Sequence, residues 1–124
     1  MSPRDEPHLL IVDDNSALAR LLRMDFEELG YRVSVARSCS EGRRLLAASD
    51  FDLLLVDYHL PDAKGTELVE LCRSRRPELP IILSSAESAP KNAADAPYRF
   101  IRKPVGAGTL DLVFRTLLGP CPGA

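Results

Sequence analysis

Asp13-Asp14, Asp57, Ser85 and Lys103 are acids, a hydroxyl and an amine, and each follows a short apolar run. The runs are His8-Leu9-Leu10-Ile11-Val12, Leu53-Leu54-Leu55-Val56, Ile81-Ile82-Leu83 and Phe100-Ile101. Carboxylates brought close together repel one another strongly unless a cation sits among them. A hard divalent ion with oxygen ligands and room for waters, Mg²⁺, relieves that repulsion. It also eases the approach of a phosphoryl dianion to a carboxylate, which can attack phosphorus and become an aspartyl-phosphate. Asp57 is the candidate nucleophile, because it ends the strongest apolar run and so stands in the middle of the cluster. Lys103 offers counter-charge and Ser85 a hydroxyl donor. Backbone N–H groups after Asp57 and Ser85, that of Ala86 among them, can supply the remaining donors.

These groups meet only if the apolar runs are parallel strands that end on one edge of a sheet. The rest of the pattern supplies the helices between them. Asn15 or Ser16 caps a helix with Leu18, Leu21, Leu22, Phe26 and Leu29 at helical spacing, and Gly30 stops it. Arg32 to Val35 alternates as a short strand. Ser38-x-x-Glu41 is a capping-box pattern opening a helix expected to bury Leu45 and Leu46. Leu53 to Val56 is apolar throughout, as suits a central parallel strand covered on both faces. A helix over Gly65 to Arg75 carries Leu68, Val69, Leu71 and Cys72 as its inner set. Arg99 to Arg102 is the last strand, and Thr109 to Leu118 the last helix, with Leu110, Val113, Phe114 and Leu117 on one face. Five βα units with short connections predict an α/β fold, a parallel sheet with helices on both faces. Ligands of such sheets lie outside the carboxyl ends of the strands.

The chain has 124 residues, which suits one domain and one core. At 45% hydrophobic and 27% charged it has an ordinary globular composition. A net charge of −2 argues against a nucleic-acid surface. Arg73, Arg75 and Arg76 cluster at an expected helix C-terminus, where they complement the helix dipole. No apolar run approaches the ~20 residues that span a bilayer, and the first seven residues lack the apolar core of a signal peptide. A cytoplasmic location is the resulting expectation. Cys39, Cys72 and Cys121 have neither zinc-site nor disulfide-framework spacing and are expected to be reduced structural thiols. The expected boundaries are a disordered arm over 1–7, a domain over 8–118 and a flexible tail over 119–124.

The segments Leu10-Ile-Val-Asp-Asp-Asn, Leu54-Leu-Val-Asp-Tyr-His-Leu-Pro-Asp-x-x-Gly, Pro80-Ile-Ile-Leu-Ser-Ser-Ala and Phe100-Ile-Arg-Lys-Pro resemble the receiver domain of two-component response regulators. The resemblance runs over residues 8 to 118, and it rests on four ordered motifs at consistent spacing. It implies a CheY-like, flavodoxin-like doubly wound (βα)5 sandwich with a five-stranded parallel sheet in the order 2-1-3-4-5. It implies that Asp57 accepts a phosphoryl group from a histidine kinase or a histidine phosphotransfer protein in a Mg²⁺-dependent step. Asp14 would then coordinate the metal directly, Asp13 through a water, and His59 through its backbone carbonyl. Ser85 and Lys103 would hold the phosphoryl oxygens. Ser85 and Phe100 would switch conformation, and Lys103-Pro104 would be a cis peptide. Such a domain acts on protein partners as a monomer or weak dimer. It contacts neither nucleic acid nor membrane itself, and it catalyses only its own phosphorylation and dephosphorylation. For its output two alternatives stand open, a stand-alone receiver and a fragment of a larger regulator or hybrid kinase.

Some positions keep alternatives open. Ser84 and Ser85 both offer a hydroxyl; Ser85 is favoured because Ala86 follows it. His59 is read as a residue at the site mouth that tunes hydrolysis, with a phosphodonor or ligand side chain as the alternative. Phe100 has the alternative of a fixed core aromatic. Asp62 and Lys64 are read as loop solvation, His8 as an ordinary residue at the start of a strand, and Gly65 as a loop-to-helix turn. The stretch between Ser85 and Lys103 is shorter than the family norm by ~4 residues, one helical turn. Pro90 and Pro97 leave room there for only a short helix. Two other classes compete. An aspartyl-phosphate phosphatase of the haloacid-dehalogenase kind usually has an acid two residues after its nucleophile, where this chain has His59. A phosphorylation-independent scaffold would not need the complete acid, hydroxyl and lysine set.

Overall fold

A computed structural model describes residues 6–87 and 98–118. The elements run β1 (His8–Val12), α1 (Ser16–Glu28), β2 (Arg32–Ala36), α2 (Cys39–Ala48), β3 (Leu53–Asp57), α3 (Gly65–Arg75), β4 (Ile81–Ser85), β5 (Arg99–Arg102) and α4 (Ala107–Leu118). The strands form one parallel sheet in the order β2-β1-β3-β4-β5, as the resemblance implied. The short helix expected between Pro90 and Pro97, residues 1–5 of the expected arm, the tail and Cys121 lie outside the described residues; Pro7, counted in that arm, accepts from the Arg32 N–H at 2.9 Å.

Strand alternation sorts the core into two halves. Leu9, Ile11, Leu53, Leu55 and Ile82 face α1 and α4, where Phe26, Leu110 and Phe114 meet them. Leu10, Val12, Leu54, Val56 and Leu83 face α2 and α3, where Leu68, Val69 and Cys72 meet them. The central strands are buried on both faces, which is why they read as unbroken apolar runs. Cys39 and Cys72 are free, buried thiols. Among the described residues no helix is long and apolar enough to cross a membrane.

Several expected core positions are corrected. Asn15, not Ser16, caps α1, accepting from the Leu18 N–H. Its buried stripe is Ala19, Leu22 and Phe26, while Leu21 and Leu29 are 55% and 43% exposed. Leu21 lies one helical step off that stripe, and Leu29 is already the C-cap, just before Gly30 turns the chain at φ 97°. Ser38 caps α2 by accepting from the Glu41 N–H. There Leu45 and Leu46 are only half-buried. The buried positions of α2 are Cys39 and Gly42, and a Cβ at Gly42 would meet Leu68 at 3.1 Å and Val12 at 3.3 Å. In α3, Leu71 is likewise at the margin.

Two polar details of the frame carried no signal in the sequence. The Tyr31 hydroxyl donates to the Asp111 carboxylate at 2.6 Å, and Arg115 flanks Asp111 at 3.1 Å. This ties the α1–β2 turn to α4, and burial together with the Asp111 bond pushes the Tyr31 phenol well above its ordinary value. His8 is more than a strand start: its ring contacts the Ser34 hydroxyl at 2.9 Å and lies against Phe51.

Candidate functional site

The carboxyl edge of the sheet collects the strand-end residues. Asp13 follows β1, with its N–H on the Ala36 carbonyl at 3.0 Å, so the β1–β2 pairing fixes its place. Its carboxylate is buried and doubly engaged. Oδ1 accepts from the Asn15 N–H at 2.9 Å, and Oδ2 from Lys103 Nζ at 2.7 Å. Asp57 ends β3, with Oδ2 at 3.3 Å from Lys103 Nζ and Oδ1 at 3.3 Å from the His59 N–H. Asp14 is exposed at the rim. One oxygen from each of Asp13, Asp14 and Asp57 lies within 4.8 Å of the other two. Clustered anionic oxygens with no nitrogen or sulfur donor fit a hard dication such as Mg²⁺.

The charges explain one another. Burial pushes the Asp57 carboxyl above its ordinary value. Lys103 pulls it down and Asp13 pushes it up again, and the net shift is upward. For Lys103, burial acts to lower the ammonium. The hydrogen bond to Asp13 and the charges of Asp13 and Asp57 outweigh that, and the net shift is upward. One ammonium thus faces two carboxylates at a largely buried position, with a third carboxylate at the rim.

Strand pairing delivers the remaining groups. The Lys103 N–H donates to the Ser85 carbonyl at 2.8 Å, so β4 and β5 bring the two together at their ends. The Lys103–Pro104 bond is cis. Asp57 is the register partner of Ser84, and Ser85 that of Arg102. Partners across a parallel pair share a face, and Ser84 lines a cleft of about 410 Å³ together with Asp13, Asp57 and Lys103. Ser85 lies one residue further out, and its hydroxyl accepts from the Glu87 N–H at 3.1 Å. Both serines are buried, and Ala86 is exposed at the mouth. Phe100 is half-buried with Tyr98 against the α2–α3 half of the core, away from the carboxylates.

The loop from Tyr58 to Lys64 follows Asp57 directly, and its His59 N–H reaches the Asp57 carboxylate. His59 Nε2 meets Glu87 Oε2 at 3.1 Å, a bridge from this loop to the one after β4. Asp62, expected to be solvated, accepts from the Cys39 and Ser40 N–H groups at 2.8 and 2.9 Å. Those two bonds hold its carboxyl below the ordinary value. Gly65 is more than a turn. A Cβ there would lie 2.2 Å from the Asp57 carbonyl oxygen. Its N–H donates to the Tyr58 carbonyl at 2.7 Å. Nothing in the local pattern marked Glu87, and Asp62, although a named position of the Pro-Asp-x-x-Gly motif, carried no sign of its partners on α2. A glycine at the first position of an otherwise ordinary helix was a usable sign for Gly65.

A family model described as the response regulator receiver domain matches residues 9–114. The response regulator protein PilR of Pseudomonas aeruginosa is 34% identical over 113 residues, covering 88% of this chain and 25% of PilR. The transcriptional regulatory protein GlrR of Escherichia coli is 32% identical over 107 residues, covering 83% of this chain and 24% of GlrR. The chain therefore spans about a quarter of the length of these curated relatives. Among solved structures, a CheY-like receiver domain protein from Methanospirillum hungatei has a TM-score of 0.82 at 31% identity, over 90% of this chain and 94% of that one. The response regulator TrrA of Thermotoga maritima, solved in complex with Mg(2+)-BeF, has a TM-score of 0.79 at 24% identity, over 90% and 98%. At that identity it supports the fold alone.

Proposed function

This chain belongs to the response regulator receiver domain family, and from that membership we propose that Asp57 is its phospho-acceptor. The observation that carries the proposal is the meeting of the Asp13, Asp14 and Asp57 carboxylates with the Lys103 ammonium at one sheet edge. The donor is a phosphohistidine of a histidine kinase or a histidine phosphotransfer protein. An Asp57 oxygen attacks phosphorus, the P–N bond breaks, and the imidazole leaves and takes up a proton. Water later attacks the same phosphorus, releasing inorganic phosphate and the Asp57 carboxylate. The domain spans 8–118 and turns over no separate substrate.

Asp14, Asp57 and the His59 carbonyl would hold Mg²⁺, with Asp13 acting through a water. The indirect role suits Asp13, because both of its oxygens already have partners. The bound ion supplies positive charge shared by the carboxylates and the incoming phosphoryl oxygens. Lys103 keeps a charge beside the Asp57 oxygen where the phosphoryl group arrives. The Ala86 N–H is a further donor at the mouth. The His59–Glu87 bridge stands where water must enter, and so tunes hydrolysis. Ser85 and Phe100 carry the change outward to a protein partner, biasing a two-state equilibrium.

The test is incubation with Mg²⁺ and acetyl phosphate, read by intact mass. A gain of one phosphoryl group is expected in the native chain, and none in Asp57→Asn or with chelator. A gain that survives in Asp57→Asn overturns the assignment, and sustained hydrolysis of phosphate esters would place the chain among phosphatases. The same variant has a second readout. The folded Asp57 pKa lies above its unfolded value, so the charged carboxylate opposes folding at neutral pH. That opposition fades as pH falls through the folded pKa. Metal-free Asp57→Asn is therefore expected to melt higher than the native chain at neutral pH, and to lose this advantage in acid.

The two serines are separable by substitution. Ser85→Ala is expected to leave phosphoryl uptake measurable while abolishing the phosphate-induced change in amide NMR spectra. Ser84→Ala should retain that change. The reverse pattern would move the switch to Ser84, the register partner of Asp57.

A further inference from the structure

We propose that Asp62 is a positioning residue for Mg²⁺ binding: by holding the Cys39 and Ser40 N–H groups, it fixes the 58–64 loop, and with it the His59 carbonyl, over the carboxylates. The inference rests on the reading of that carbonyl as a metal ligand.

The loop is held to itself, to the sheet at its base and, through His59, to the Asp57 carboxylate and to Glu87 after β4. The Tyr58 N–H reaches the Ser84 carbonyl, the Gly65 N–H the Tyr58 carbonyl, and the Leu60 N–H the Ala63 carbonyl. Leu60 and Ala63 add half-buried apolar contacts, which have no directional hold. Among the described hydrogen bonds, only those of Asp62 tie the loop to α2. Each of its oxygens takes a separate N–H, at 2.8 and 2.9 Å, so the carboxylate cannot swing about a single bond. Both N–H groups belong to the first turn of α2, where an anion is favoured and no intrahelical acceptor exists. A carbonyl ligand has no side-chain freedom, so it is only as well placed as the loop that carries it. Supporting contacts of this kind change metal affinity without touching the metal.

Ser38 provides the control. Its hydroxyl also satisfies an N–H at the start of α2, that of Glu41, but it makes no bond to the loop. Mg²⁺ alone is titrated by calorimetry into the full chain and its Asp62→Ala, Asp62→Asn and Ser38→Ala variants. Asp62→Ala is expected to weaken Mg²⁺ about tenfold, Asp62→Asn to recover part of the loss through its one remaining acceptor, and Ser38→Ala to bind as the native chain does. Equal loss in Ser38→Ala and Asp62→Ala would make the effect one of helix integrity and overturn the proposal, as would native affinity in Asp62→Ala. A native chain that does not bind Mg²⁺, or an Asp14→Ala variant that binds it undiminished, defeats the underlying metal reading, and that failure is visible before any Asp62 variant is measured.

Discussion

Gly65→Ala is expected to lower the melting midpoint by about 10 °C and to abolish phosphoryl uptake by Asp57. The added Cβ would stand 2.2 Å from the Asp57 carbonyl oxygen and 3.1 Å from the Leu83 side chain. The leucine can shift, but the carbonyl belongs to the end of a central strand paired on both sides. Either α3 retreats or Asp57 moves. Overpacking of this kind costs about 3 kcal/mol, and a displacement of the reacting carboxylate by about 1 Å costs about 10²-fold in rate. Gly108→Ala is the control. Nothing lies within 4 Å of a Cβ at that exposed position in α4, so helix propensity alone should stabilise the chain by about 0.5–1 kcal/mol. A Gly65→Ala chain that melts and reacts like the native one would mean that the approach of α3 to Asp57 is looser than described.

Lys103→Met separates folding, metal binding and chemistry in one variant. The methionine keeps most of the stem and deletes the charge that bonds Asp13 at 2.7 Å and faces Asp57 at 3.3 Å. The loss leaves a buried Asp13 carboxylate with only the Asn15 N–H. Breaking such a pair costs about 2–3 kcal/mol, at or below the usual buried range because the Lys103 side chain is 19% exposed. Without metal the variant is expected to melt lower. With Mg²⁺ the deficit shrinks, because the cation now meets three carboxylates and no competing ammonium, so Mg²⁺ affinity rises. Uptake from acetyl phosphate nonetheless falls about 10²-fold, the usual consequence of removing a donor from developing charge. Calorimetry and intact-mass kinetics read the two effects separately. Tighter metal binding with an unchanged rate would remove Lys103 from the chemistry.

The sheet was legible because Leu9 to Val12 in β1 and Leu53 to Val56 in β3 are unbroken apolar runs that must be covered on both faces. The carboxylate cluster was legible because every member directly follows such a run, and strand ends of a parallel sheet share an edge. The reading failed where one residue's partner lies far along the chain or where one helical step decides burial. Leu21 and Leu22 are equally apolar, yet only Leu22 reaches the core. Leu45 and Leu46 yield the inner position to Gly42, which no hydrophobic pattern can signal. Asp62 caps a helix 23 residues before it, and Tyr31 meets Asp111 across 80 residues. In neither case does the neighbouring sequence name the distant partner.

The bond between Asp13 and Lys103 joins residues 90 apart in sequence. Closing a loop of that length in a disordered chain costs about 4 kcal/mol of entropy, far more than one ion pair returns. The pair therefore forms only after the intervening strands have docked and shortened the path between its ends. A nascent chain that has emerged only as far as β4 already carries all three carboxylates but lacks their ammonium. On the proposed role of Lys103, full competence to take up a phosphoryl group arrives only with the last strand.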